Sequence, residues 1–148
     1  MKVEIENGKL AAAINFMYDL KLARKQSRMR RRLIKLMSER LQEVEEERKE
    51  LLKEHSHKDE NGEPIVKENG NYDVKDIVAF SNDLKELYAE KMVIEGGDNR
   101  EMLYTVKHIL KKFEDEEYEG QESEIYDYLC DQFEIDNEET MNNEYQSD

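Results

Sequence analysis

Only one cysteine and one proline occur among the 148 residues, and there is no tryptophan. A single thiol, Cys130, cannot form an internal disulfide, so a reducing compartment, the cytoplasm by default, is expected. Long apolar runs are missing too. No window approaches the roughly eighteen consecutive apolar residues of a membrane-spanning helix. The opening MKVEIENGKL also lacks the apolar stretch of a signal peptide. No membrane partner is therefore expected. Catalytic motifs are absent as well: there is no G-x-S-x-G, no phosphate-binding glycine loop and no dinucleotide fingerprint. The carboxylates are many, but no two stand out as an acid and base pair. Neither enzymatic activity nor a cofactor is expected.

The most informative absence is of positive charge near the end. Between Phe113 and Asp148 there are fifteen Asp and Glu and no Lys or Arg. The formal charge of the chain is −14, so the first 112 residues carry +1. A near-neutral body precedes a strongly acidic third. Hydrophobic residues make up 37 % and charged residues 41 %, which leaves material for a modest core and predicts long helices with solvated faces. The length fits one domain with a tail.

In KVEI, Val3 and Ile5 alternate with polar residues as in a short strand, which Asn7-Gly8 ends. From Lys9, the spacing of Leu10, Ala13, Phe16, Met17 and Leu20 predicts an amphipathic helix of about three turns. Met29, Leu33, Met37, Leu41, Val44, Leu51 and Leu52 carry a similar stripe through one helix of about 28 residues, roughly 40 Å long. That helix either stands alone or begins near Lys21 and joins the one before it. Its first half is basic and its second acidic, with Glu39, Glu43, Glu46 and Glu50 along one exposed side.

Pro64 to Lys67 and Asn71 to Val74 read as strands of a hairpin that turns at Asn69-Gly70. A helix follows over residues 75–91, with Ile77, Phe80, Leu84, Leu87 and Tyr88 inward. The next has Asn99 as a plausible N-cap and the stripe Met102, Leu103, Val106, Ile109, Leu110 and Phe113. The last spans 122–133 with Ile125, Leu129 and Phe133 inward. KMVIE, between the second and third of these segments, is a short strand whose natural partner is the N-terminal strand KVEI, because an isolated strand leaves its backbone groups unbonded. The predicted class is a mainly helical α+β fold of about five helices, one of them long and amphipathic, with a small sheet and a central β-hairpin. Residues 1–133 form the domain, 58–74 a hairpin or loop insertion in it, and 134–148 an acidic tail whose low hydropathy predicts disorder.

DENGEPIVKENG resembles a calcium loop, with acids and Asn at alternate positions. Its sixth and twelfth positions, where that loop needs Gly and Glu, hold Pro64 and Gly70, so a hairpin is favoured. His55, His57 and Asp59 lie close in sequence, but at a helix end and without a cysteine, and no metal site is expected. Cys130 sits beside Leu129 and Phe133 as a half-buried hydrophobe, with no cation near enough to activate it.

The stretch KLARKQSRMRRRLIK, residues 21–35, has eight Lys or Arg and no acid. Arg24, Lys25, Arg28, Arg31, Arg32 and Lys35 form a candidate basic patch on one helix. Most charge runs are plain solvated faces. As a binding surface, the patch suits the phosphates of a nucleic acid, an option opposed by the field of the acidic third. It equally suits carboxylates, either on the chain's own acidic segment or on a partner protein. The candidate acidic surface comprises Glu116, Glu117, Glu119, Glu122, Glu124, Asp127 and Asp131. Tyr118, Tyr126, Tyr128 and Tyr145 stud it, a pattern suited to imitating a nucleic acid.

The run from KVEIENGKLAAAINFMYDLKL through KQSRMRRRLIKLMSERLQEVEEERKELLKEH and DENGEPI, continued in VIEGG and ESEIYDYLCDQFE, resembles a family of small proteins of unknown function. These are encoded by tailed phages and prophages of low-GC Gram-positive bacteria. The resemblance reaches Phe133 and does not take in the acidic tail. It implies a phage origin and the cytoplasm of an infected bacterial host. It brings no activity, cofactor or catalytic residue. The function expected is protein–protein interaction inside that cell, with inhibition of a host defence factor through the acidic surface as one form of it. The alternatives are an accessory or assembly factor of the phage virion or tail, with the long helix as a homo-oligomer seam, and nucleic-acid binding through residues 21–35.

Overall fold

Val3 and Ile5 project to the same side of an extended segment, β1 (Lys2–Glu6), and are fully buried. In the computed structural model, which describes residues 1–136, β1 pairs antiparallel with β2 (Lys91–Glu95), as expected from the sequence. Val3 lies opposite Ile94 and Ile5 opposite Met92. These four side chains share the inner face, whereas Val93, opposite Glu4, remains 48 % exposed. The fold is mainly helical α+β, with five α-helices and this two-stranded sheet among the described residues.

A 3-10 turn over Asn7–Lys9 leads from β1 into α1 (Leu10–Asp19). Asn7 is more than a strand breaker. It is buried, its Nδ2 donates to the Leu87 carbonyl at 2.9 Å, and its Oδ1 accepts from Arg40 Nε at 2.9 Å. Gly8 follows because the chain passes close to Tyr88: a Cβ at Gly8 would lie 3.3 Å from Tyr88 Cβ and 3.4 Å from its carbonyl oxygen.

The long helix, α2, runs over Arg24–Glu54, 31 residues or about 46 Å. It does not join α1. Leu20 is extended, with ψ 138, and Arg24 adopts φ +44, so the chain turns between the two. Met29, Leu33, Met37 and Val44 are buried along its inner side, where α1, α4 (Arg100–Lys112) and α3 (Ile77–Ala89) pack against it. The stripe on α4 is buried as expected at Met102, Leu103, Val106, Ile109 and Leu110. Asn99 precedes α4 at the end of a 3-10 turn, but its side chain makes no capping bond.

The expected hairpin is present in reduced form. Lys67 N donates to Asn71 O at 2.7 Å and Asp73 N to Ile65 O at 2.9 Å, around Gly70 at φ +87. The segment shows three isolated bridges, Ser56 with Val74, Lys58 with Pro64 and Val66 with Tyr72, rather than a continuous ladder. Ile65 and Val66 are exposed, so the first strand of the arm has no second layer to pack on, which is what normally consolidates a hairpin.

The expected inward position of Ile77 is corrected: it is 65 % exposed. Asp76 fixes the helix start, its Oδ1 accepting from Val78 N and Ala79 N at 3.1 Å each. In this helix only Leu87, near the other end, is fully buried.

The last helix, α5 (Gly120–Gln132), packs on α1, α4 and β1. Phe16, Tyr118 and Tyr126 stack there with ring centroids 4.8–5.7 Å apart. The packed body continues beyond Phe133, the expected boundary, because Ile135 is buried in the same core. Of the expected tail, residues 137–148 lie outside the described residues. Among the described residues, no helix is long and apolar enough to cross a membrane.

Leu110 is fully buried at the centre of this core. Its replacement by Ala should cost on the order of 2–5 kcal/mol of unfolding free energy, from lost transfer energy and the cavity left behind. Chemical denaturation measures it.

Candidate interaction surface

The helical spacing that buries Met29, Leu33 and Met37 necessarily turns the residues between them outward. All six residues of the basic patch, Arg24, Lys25, Arg28, Arg31, Arg32 and Lys35, are exposed. The structure therefore brings them together on one face of α2. Among the described residues, one carboxylate is in ion-pair contact with the patch: Glu101 Oε1 lies 2.5 Å from Lys25 Nζ. That acid belongs to the first turn of α4, in the near-neutral body. The hydrogen bond and charge of Lys25, reinforced by Arg32 and Arg28, hold the Glu101 carboxyl below its usual pKa.

The block also contains a cation with a different task. Arg30 is half-buried, and its guanidinium turns back on α1, donating from Nη1 to the carbonyls of Leu20, Met17 (3.2 Å) and Tyr18 (3.3 Å). It satisfies the last carbonyls of α1, where a cation also meets the negative end of the helix dipole. Residue type alone could not separate Arg30 from its neighbours. The signal was its position on the edge of the apolar stripe, one residue from Met29 and three from Leu33.

The acidic residues Glu116, Glu117, Glu119, Glu122, Glu124, Asp127 and Asp131 are likewise all exposed. The first three lie in the link between α4 and α5 and the rest on α5. None of these seven acids is in ion-pair contact with the basic patch, and α5 packs chiefly on α1 and α4. The tyrosines expected to stud the acidic surface face inward instead. Tyr126 is buried and donates to the Leu110 carbonyl at 2.7 Å, and Tyr128 Oη accepts from Glu6 N at 2.9 Å. Their rings complete the apolar side of α5, leaving its carboxylates outside. Tyr145 lies outside the described residues.

The second half of α2 carries the opposite charge. Glu39, Glu43, Glu46 and Glu50 are exposed, in the same outward direction as Arg28, Arg32 and Lys35. Beside them, α2 and α3 enclose an open cleft of about 350 Å³ with Leu51 and Leu87 at its base and Glu47, Glu50, Glu54, Asp83, Glu86 and Glu90 around it. His55 closes this end of α2, with its Nε2 2.6 Å from Asp83 Oδ2. Among the described residues, no three His, Cys, Asp or Glu are grouped to hold a metal ion.

Two further groups complete the picture. Cys130 is half-buried, and burial pushes its thiol up to about 11, partly opposed by its hydrogen bond with Tyr126. Lys107 is buried on the inner stripe of α4; burial lowers its pKa, and the nearby Glu134 carboxylate opposes that shift. Its basic type hid it among residues expected at the surface.

No protein-family model, curated protein or solved structure matches the chain.

Arg30→Ala should lower stability by on the order of 1–2 kcal/mol, since several carbonyls lose a charged donor. Arg31→Ala, one residue on and fully outward, should change it by less than about 0.5 kcal/mol. Thermal melts of the two variants check the contrast. The Lys25–Glu101 pair has a defined pH sense. A depressed carboxyl pKa favours the fold above the unfolded value of 4.5, and this contribution is lost as pH falls through the folded value. Lys25→Gln should raise the Glu101 pKa back toward 4.5, read by NMR titration of its carboxylate.

Proposed function

We propose that this chain is a non-enzymatic interaction protein of phage type, working in the cytoplasm of an infected bacterium through the charged outer face of α2. The observation that carries this is the state of the basic patch. Six cations share one exposed face, and Lys25 alone is engaged by a carboxylate of the described fold. Single exposed ion pairs contribute only about 0–1 kcal/mol, so a useful contact needs the cluster, and the cluster is what α2 displays. The resemblance to small phage proteins supports the setting. The partner favoured is a protein, of the host or the phage, that presents carboxylates; a second copy joined through the long helix belongs to the same class.

A nucleic acid laid along α2 would meet its cationic half and then Glu39, Glu43, Glu46 and Glu50 on the same side, which would repel a polyanion. That geometry favours a protein partner over an extended duplex.

The test is capture from lysate of infected cells with the wild-type protein and with Arg28→Glu combined with Arg31→Glu. Capture of a defined protein should fall sharply in the double variant while the melting temperature stays nearly fixed. Equal capture by both proteins would remove the patch from the function. Retention of DNA or RNA at about 50 mM salt that vanishes steeply as salt rises would instead support nucleic-acid binding.

A further inference from the structure

Seven charged side chains mark a row along the solvent side of α2: Arg28, Arg32, Lys35, Glu39, Glu43, Glu46 and Glu50, all exposed. The steps between them average about 3.67 residues, close enough to the helical 3.6 that a straight helix keeps them in line. The row is symmetric about Glu39. Lys35 and Glu43 each stand four residues from it, Arg32 and Glu46 seven, Arg28 and Glu50 eleven. Every cation has an acid at its mirror position.

One rigid helix cannot bring its two halves together, but two antiparallel copies can. An interface between identical chains about a two-fold axis must be complementary to its own reversal, and this row is. We propose that the protein pairs with a second copy, α2 against α2 about an axis at Glu39, so that Arg28, Arg32 and Lys35 of each copy meet Glu50, Glu46 and Glu43 of the other. The inference rests on the reading of α2 as an interaction surface and names its partner.

Three other features agree. First, the layout runs against the dipole of α2, with cations at its positive end and acids at its negative end, whereas two antiparallel helices set opposite ends side by side. Second, the fold leaves most of the row free: among the described residues, Glu43 has only Arg40 at 4.0 Å and Glu50 only Lys53 at 3.4 Å as ion-pair partners. Third, the acidic cleft beside Glu50 extends the negative end that would receive Arg28. No large apolar side chain is exposed on α2, so the pairing is electrostatic and weakens as salt screens it. The two Glu39 residues at the axis repel, and Glu39→Gln should tighten the pair.

The experiment is sedimentation equilibrium of the full chain at about 50 mM and about 500 mM salt. The wild type should be dimeric at the lower concentration of salt and monomeric at the higher. A variant with Arg28→Glu, Arg32→Glu and Lys35→Glu should be monomeric at both, as should one with Glu43→Lys, Glu46→Lys and Glu50→Lys. An equimolar mixture of the two should dimerise at low salt. Circular dichroism establishes that each variant is folded, the substituted positions all being exposed. Orientation is read by mild oxidation in a Cys130→Ser background. Glu39→Cys should link to itself; Glu50→Cys should not, but should link to Arg28→Cys. A wild type that stays monomeric at low salt, a dimer that survives either charge reversal, or self-linking of Glu50→Cys would each overturn the pairing. A monomer that still captures another protein through Arg28 and Arg31 would leave the proposed function standing and this inference refuted.

Discussion

Helix α2 must bury one side and keep the other in water over 31 residues, and the remaining architecture follows from how it does so. Met29, Leu33, Met37 and Val44 supply the buried side. They are too few to hold a helix alone, since an isolated helix in water gains little from propensity. α1, α4 and α3 therefore close over that side. At its edges, two arginines clamp the helix to the rest of the protein: Arg30 to the end of α1, and Arg40 to the buried Asn7. Asn7 in turn holds the Leu87 carbonyl of α3. A chain of polar contacts thus runs from α2 through the β1–α1 turn to α3.

The parts of this fold legible in the sequence were those where burial imposes a period. Val3 and Ile5 alternate, the α4 stripe recurs at three and four, and both are buried where expected except at Phe113, which is half-buried at the end of the helix. The β1–β2 pairing was legible for another reason, because two short strands had no other partner. What the sequence left open were matters of reach. Ile77 has the spacing of a core residue, yet the first turn of α3 lies beyond the surface that could cover it. Arg30 and Lys107 have the chemistry of surface residues, yet one meets the end of another helix and the other lies on a buried stripe. Tyr126 and Tyr128 sit in an acidic segment, but their rings take the inner side of α5. In each case, the deciding factor is what another element places nearby, which no local pattern encodes.

The two charged surfaces were legible as lists and not as geometry. Every residue of the basic and acidic sets is exposed, as their types suggested. That Glu39, Glu43, Glu46 and Glu50 point the same way as Arg28, Arg32 and Lys35 follows from helical spacing. That the acids of α5 stand elsewhere does not, because it depends on α5 choosing α1 and α4 as its neighbours.

The separation of these charges decides which of them α2 feels. Cations near the start of a helix and acids near its end oppose the dipole, at a cost of about 0.3–1 kcal/mol per end where exposed. The layout is thus not explained by the stability of α2 itself. Nor, among the described residues, is any acid between Glu114 and Asp136 in ion-pair contact with the basic patch, whose one carboxylate partner is Glu101. The overall charge of −14 is therefore a poor guide to the outer face of α2. A partner approaching that face meets first the local sequence of cations followed by acids, and it is this order, rather than the net charge, that a complementary surface has to match.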